Sequence, residues 1–234
     1  MTRSELKTQA KETLRGRWGE AIAIIVVYQV IIGVMSAISQ SIPFGGILQI
    51  VITVPISFGL IGQMIKFSRG EKTGVLDFFK MGFDNFSKSW SIYFSVFLKM
   101  LAPVIAYVLS IVILVAYSIM VSMDMLDDNL IVILGILAIV FTLASSIWLM
   151  VKSYLYQLTS YIGNDNLEMP GKEVAKKSED IMNGHRWEYF VLNLSFIGWA
   201  LLSILTLGIG LLWLIPYVQI TNVKFYEYIA EINK

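Results

Sequence analysis

The chain has 234 residues, of which 56% are hydrophobic and 15% are charged. This composition and a mean hydropathy of +0.70 exclude an ordinary soluble domain and are typical of a membrane protein. The absence of cysteine excludes disulfides, thiolate metal sites and cysteine nucleophiles, and the formal net charge is only +1.

Four stretches without charged residues are long enough to cross a membrane, and they cover residues 21–65, 100–123, 129–151 and 189–223. A bilayer core needs about 20 apolar helical residues per crossing, so the first and last stretches each have room for two helices. We therefore predict an all-α, polytopic membrane helix bundle with six transmembrane helices arranged as three hairpins. The predicted spans are residues 21–41, 47–66, 100–123, 130–151, 189–206 and 209–226.

The positive charge lies on one side of this predicted bundle. Apart from Lys99, the Lys and Arg residues lie before the first hairpin, between hairpins or at the end of the last one. The turns within the hairpins, at residues 41–46, 124–129 and 206–210, contain no Lys or Arg. Because positive charge is retained on the cytoplasmic side, we expect both termini in the cytoplasm. The first apolar stretch continues into a second helix, so no secretory signal peptide is expected.

An amphipathic segment and a Trp residue precede each predicted hairpin. The segments are residues 6–14, 75–86 and 171–182, and the Trp residues are Trp18, Trp90 and Trp187. Such segments can lie in the headgroup region, where Trp and basic side chains are anchors. The pattern predicts three cytoplasmic interfacial helices within one membrane domain, residues 1–234. It also suggests three repeat-like units, at about 1–68, 69–165 and 166–234, although any six-span protein can have basic, Trp-flanked segments of this kind.

Few polar side chains interrupt the predicted spans. They include Gln63, Asn193 and Gln219, and Lys99 lies just before the third span. One hypothesis is that these four residues form an intramembrane polar path. Hydrogen bonding between helices explains the amides equally well. Lys99 can instead extend its long side chain back to the cytoplasmic surface.

Residues that would support catalysis are scarce. His185 is the only histidine, the predicted spans hold no Asp or Glu, and the sequence contains no glycine-rich nucleotide loop or zinc-binding pattern. We therefore expect no catalytic site, no cofactor and no metal site, and hence a protein that is not an enzyme. Proton-coupled carriers usually keep ionisable groups inside the membrane, so such a carrier is disfavoured as well.

Several short motifs resemble those of a known family. Residues Arg69-Gly70-Glu71 precede Gly82-Phe83, and the C-terminal part contains Asn183-Gly184-His185-Arg186-Trp187, Gly198-Trp199, Gly208-Ile209-Gly210 and Pro216-Tyr217. Over essentially the full chain these motifs are similar to the DUF975 family of bacterial integral membrane proteins, chiefly from Firmicutes. A more distant likeness is to the membrane domain fused to some glycerophosphodiester phosphodiesterases, whose catalytic domain has no counterpart in this sequence.

The resemblance implies an architecture and a location in the bacterial plasma membrane, but no particular activity. Its signature positions are Arg69, Gly70, Glu71, Gly82, Gly184, Trp187, Gly198, Trp199, Gly208, Gly210, Pro216 and Tyr217. Among them we expect Arg69 to pair with Glu71, and Gly208 and Gly210 to permit a tight turn. We expect Tyr217 to bridge the backbone that Pro216 loosens.

Two functions remain as hypotheses. The first is a non-enzymatic envelope scaffold, sensor or protective (immunity) protein that acts through partners. These would be anionic lipids of the inner leaflet, another protein or a second copy of the chain, but not nucleic acid. The second is a transporter or export component for a lipid-like or peptide substrate.

Overall fold

The computed structural model describes residues 1–125 and 127–233, and the regular secondary structure in this part is helical, as predicted. The helices are α1 (Arg3–Leu14), α2 (Trp18–Gln40), α3 (Gly45–Ser68), α4 (Asp77–Asp84), α5 (Phe86–Ser122), α6 (Asp128–Leu155), α7 (Thr159–Asp165), α8 (Gly171–Met182), α9 (Arg186–Leu194), α10 (Ile197–Leu205) and α11 (Leu211–Ile232). Residue 126 of the predicted turn 124–129 and residue 234 of the predicted domain lie outside the described residues.

Within the described residues, five helical segments are long and apolar enough to cross a membrane. They are Trp18–Gln40, Gly45–Ser68, Phe86–Ser122, Asp128–Asp165 and Arg186–Leu205. The chain thus has the helix content of a polytopic membrane protein. Helix α11 contains all but the first two residues of the predicted sixth span, 209–226, but also carries Lys224, Glu227 and Glu231, and it is not among the five. The arrangement of six spans in three hairpins is not confirmed.

The third predicted span, residues 100–123, begins much earlier in the structure. Helix α5 runs without a break for 37 residues, a length of roughly 55 Å at 1.5 Å per residue. This exceeds the roughly 30 Å of a hydrocarbon core, so part of α5 extends beyond it. Its lysines bond to other parts of the chain. Lys88 donates to the carbonyls of Asn166 (2.8 Å) and Met169 in the connection between α7 and α8, and Lys99 pairs with Glu179 of α8.

The fifth predicted span, residues 189–206, is two helices in the structure. Helix α9 ends at Leu194 and α10 begins at Ile197, with Ser195 and Phe196 between them. The Ser195 hydroxyl donates to the carbonyl of Leu192 at 2.5 Å.

The buried core lies in one half of the molecule. In α3 the buried residues run from Pro55 to Ser68, apart from Gly45, and in α11 they begin at Pro216. In α2 they lie mainly near the start, at Ala21, Ile24 and Ile25. Helices α1, α4 and α7 pack against these segments, and α8 packs against α7. We call this half, formed by α1, α4, α7, α8, residues 18–28, 55–68 and 216–232, the packed end.

Away from the packed end the helices continue mainly in pairs. Helix α2 contacts α3, α5 contacts α6, and α10 contacts α11. In the second pair, Ser145 donates to Ser110 at 3.0 Å, and the Tyr117 hydroxyl donates to the carbonyl of Ile131 at 2.9 Å. Many large apolar side chains of these helix pairs are exposed. An apolar surface of this extent is unfavourable in water and is typical of helices that face lipid.

The three predicted interfacial helices all form, and their apolar residues contact the protein itself. Helix α1 begins with a capping box in which Thr2 and Glu5 bond to each other's backbone N–H, and it buries Leu6, Ala10 and Leu14. Helix α8 is also buried on one side, against α5, α6 and α7. Helix α4 differs because Phe78 enters the core while Phe79 and Phe83 stay exposed, as does Phe86 at the start of α5. Interfacial placement therefore stays a prediction, and α4 has the surface for it.

Candidate functional site

A network around Arg69 joins three helices at the packed end. The Arg69 guanidinium donates to both carboxylate oxygens of Asp165, at 2.8 and 2.7 Å, and lies 3.6 Å from Glu227. The Tyr226 hydroxyl donates to the same Asp165 carboxylate at 2.9 Å. Hydrogen bonding to Asp165 raises the pKa of Arg69. Arginine is suited to this role because its planar fork matches a carboxylate.

A polar cavity of about 720 Å³ opens beside this network. Lys177 of α8 and Glu231 of α11 also line it. Its lining carries three carboxylates, those of Asp165, Glu227 and Glu231, and two basic groups, Arg69 and Lys177. Arg69 is already paired with Asp165, so the cavity has no free excess of positive charge that would select an anion. The arrangement acts as a connection between the ends of α3, α7 and α11.

A second cavity, of about 350 Å³, lies between α1, α10 and α11. We call it the aromatic cavity and define it by its lining residues: Lys11, Trp18, Trp199, Leu202, Ser203, Thr206, Gly210, Trp213, Leu214 and Tyr217. The Ser203 and Thr206 hydroxyls donate to carbonyls of α10, at 2.8 Å each. The walls are therefore mostly apolar, and Lys11 is the charged group at their edge.

The turn between α10 and α11 shapes this cavity. Gly208 has a φ of +87°, a conformation that favours glycine, and so permits the reversal. Gly210 is needed for a different reason, since a Cβ there would lie 2.7 Å from the Ser203 hydroxyl. The close approach at Gly210 brings the two helices that carry Trp199 and Trp213 together.

Helix α1 presents a row of basic side chains, Arg3, Lys7 and Lys11, spaced four residues apart and so on one face. The Lys7 ammonium donates to the carbonyl of Ser195 at 3.2 Å and lies 4.1 Å from the centre of the Phe196 ring. The Lys11 ammonium lies 5.6 Å from the centre of the Tyr217 ring. Burial lowers the pKa of Lys7, and repulsion from Lys11 and Arg3 lowers it further. This face therefore carries positive charge that is not neutralised locally.

Comparison with known families gives one match. The family model described as "Protein of unknown function (DUF975)" matches residues 1–233, which is nearly the entire chain. The chain belongs to the DUF975 family. No curated protein and no solved structure matches it. The resemblance to DUF975 is therefore confirmed, whereas the more distant likeness to glycerophosphodiester phosphodiesterases has no support.

Four of the DUF975 signature residues line the two cavities. Trp199, Gly210 and Tyr217 line the aromatic cavity, and Arg69 lines the polar one. Two contacts differ from expectation. Arg69 pairs with Asp165 and Glu227 instead of Glu71, and the Tyr217 hydroxyl donates to the carbonyl of Lys7 at 3.4 Å instead of to its own helix near Pro216. The partners of Arg69 and of Tyr217 are far away in sequence, so no local pattern could indicate them. Two neighbouring residues of α11, Tyr226 and Glu227, both belong to the Arg69 network.

The other DUF975 signature residues have structural surroundings. Gly70 and Gly184 have positive φ just after α3 and α8, Gly82 touches the backbone of α3, and the space around Gly198 is open. Helix α11 continues through Pro216. Of the predicted anchors, Trp187 is 72% exposed, while Trp18 and Trp90 are half-buried.

The four residues of the hypothetical polar path do not meet in one place among the described residues. Gln63 is fully buried and bonds to the backbone of Gly74 and Phe78. Lys99 pairs with Glu179 at 2.6 Å, which lowers the pKa of that carboxyl, and Asn193 bonds to Tyr189 of its own helix. Gln219 is half-buried on α11.

A third cavity, of about 340 Å³, lies between α3, α5 and α7. It is lined in part by hydroxyl groups, those of Thr53, Ser57, Ser89, Tyr93, Thr159 and Ser160. The Thr53 hydroxyl is buried without a hydrogen-bond partner among the described residues. Among the residues that the structure describes, no three His, Asp or Glu side chains are placed to hold a metal ion.

Proposed function

We propose that this DUF975 protein is a non-enzymatic protein of the bacterial plasma membrane that acts by binding anionic lipid of the cytoplasmic leaflet. The observation that supports it is the position of the basic residues. In the described residues they lie on or beside α1, α4, α8 and the helix ends at the packed end, whereas residues 41–44 and 206–210, in the turns between α2 and α3 and between α10 and α11, contain none. Such a basic surface next to apolar helices suits an anionic leaflet, where each Lys or Arg contributes about 1 kcal/mol.

The proposed orientation places both termini and the packed end in the cytoplasm. Reporter fusions at Pro43, Asp127 and Gly208 should read outside, and fusions at Lys72 and Lys172 should read inside. A cytoplasmic signal from Asp127 would overturn the orientation and with it the assignment of the leaflet.

Lipid binding is tested on the full chain in detergent. We expect phosphatidylglycerol to raise the unfolding temperature more than phosphatidylcholine does, because only the former carries net negative charge. Salt should reduce the difference, since exposed charges are screened within about 8 Å at physiological ionic strength. Equal stabilisation by both lipids at low salt would refute the proposal. A protective role further requires that deleting the gene changes sensitivity to cationic antimicrobial peptides or to envelope stress.

The second candidate is a transporter or export component for a lipid-like or peptide substrate. Two observations favour it: the interruption between α9 and α10, and the hydroxyl-lined cavity between α3, α5 and α7. Discontinuous membrane helices often border substrate sites. Proteoliposomes should then show peptide flux or lipid movement that Thr53→Leu abolishes by filling the cavity, with Thr142→Leu on α6 as the matched control. Absence of flux for both substrate classes counts against this candidate.

A further inference from the structure

We propose that the aromatic cavity binds one anionic glycerophospholipid, with its phosphodiester group at Lys11 and an acyl chain between Trp199 and Trp213. The inference rests on the proposed function and deepens it. It assigns a single binding site where that function requires only a basic surface.

The shape and lining of the cavity fit an acyl chain. A volume of about 350 Å³ lies near the lower end of the range for small-molecule sites, so the cavity holds a part of a lipid and not all of it. Trp199 and Trp213 are only partly covered by the protein, with 58% and 50% of their surface exposed. A chain that covered these rings would stay continuous with the surrounding lipid.

The charge at the edge of the cavity selects an anionic headgroup. Lys7 is occupied by the Ser195 carbonyl and the Phe196 ring, but Lys11 has no carboxylate partner within the described residues and lies beside the Tyr217 ring. Lys7 and Arg3 add positive potential from the same face of α1. A phosphodiester next to Lys11 would lower the positive charge of this face by one and accept charge-assisted hydrogen bonds from the ammonium.

The same charge argues against a second copy of the chain as the occupant. A two-fold symmetric contact places the same surface of both copies against each other. Through this face it would bring two rows of Arg3, Lys7 and Lys11 close together. Repulsion between the two rows disfavours such a contact, whereas an anionic lipid lowers the positive charge of this face.

Native mass spectrometry of the full chain in detergent tests the site, with phosphatidylglycerol and phosphatidylcholine as the two probes. We expect one phosphatidylglycerol to bind more tightly than phosphatidylcholine. Lys11→Gln should weaken phosphatidylglycerol binding about fivefold to tenfold, since one charged contact is lost. It should weaken phosphatidylcholine binding less, because the choline cation of that lipid already offsets its phosphate charge. Lys11→Arg should retain the preference. The matched control is Lys172→Gln, which removes an exposed lysine from another charged helix, α8.

The acyl-chain contact is tested separately by Trp213→Ala, which should weaken both lipids. Its control is Trp148→Ala, on the exposed surface of α6 and outside the cavity. Matching circular dichroism and elution volume establish that each variant is folded.

The outcomes separate this site from the broader proposal. Equal losses for Lys11→Gln and Lys172→Gln would overturn the site and leave a diffuse basic surface, so the proposed function would stand. No preference for phosphatidylglycerol in any form of the protein would overturn both. Unchanged binding in Trp213→Ala, or a dimer that this substitution dissociates, would also overturn the site.

Discussion

Replacing Gln63 by leucine tests whether this amide holds the structure together or belongs to a transport path. The side chain is fully buried, and its amide nitrogen donates to the carbonyl of Gly74 at 2.7 Å. Its amide oxygen accepts from the backbone N–H of Phe78 at 2.8 Å. Leucine cannot make either bond, so two backbone groups lose their partners at a cost of about 1–3 kcal/mol each. Allowing for the better burial of leucine, we expect the free energy of unfolding to fall by roughly 2–4 kcal/mol.

Unfolding in mixed detergent micelles with increasing dodecyl sulfate measures this free energy. The connection between α3 and α4 should also be cut faster by trypsin at Lys72, because Gln63 attaches this connection to α3. Gln29→Leu is the matched control: Gln29 is exposed and makes no side-chain hydrogen bond within the described residues, so its effect should stay within about 0.5 kcal/mol. If Gln63→Leu costs no more than Gln29→Leu, the structural role is refuted and the polar-path hypothesis gains support.

Three further predictions concern contacts at the packed end. Gly82→Ala should lower the free energy of unfolding by about 1–3 kcal/mol, because a Cβ there would overlap the Pro55 carbonyl. Gly198→Ala is the control, since the space around Gly198 is open, and thermal unfolding compares the two variants. The Lys99–Glu179 contact should stabilise the protein at pH values above 4.5, the ordinary pKa of the carboxyl, and lose this effect as the pH falls through the lowered folded value. Unfolding scans between neutral and acidic pH should show this dependence, and Glu179→Gln should reduce it. Arg69→Lys should cost about 1 kcal/mol, because a lysine cannot bond to both oxygens of Asp165; an unchanged unfolding temperature would contradict this.

The long apolar elements could be predicted from sequence, but their ends could not. The start of α5 at Phe86 was missed because charged residues such as Lys88 and Lys99 are normally read as the limit of a span. In the structure these lysines bond to the connection between α7 and α8 and to Glu179, which are 78 and 80 residues away in sequence. A helix can therefore continue through residues that local composition assigns to a boundary.

The candidate site was predicted only in part. The signature positions Trp199, Gly210 and Tyr217 were identified without any indication that they share a cavity. The sequence shows that basic residues precede the first hairpin, and the spacing of four residues between Arg3, Lys7 and Lys11 could have indicated a common face. Asp165, the main partner of Arg69, had no local signal because the pair connects residues 96 positions apart.

The sequence by itself determined the all-α class, the approximate positions of the long apolar helices and the separation of basic residues from the hairpin turns. These follow from composition and local order, since lipid excludes charge and requires each helix to satisfy its own backbone. Only the tertiary structure decided which end of the helices is packed, which carboxylate neutralises Arg69 and where Lys11 meets an apolar cavity. These are contacts between distant segments, and they depend on how helices approach one another, which no local pattern specifies.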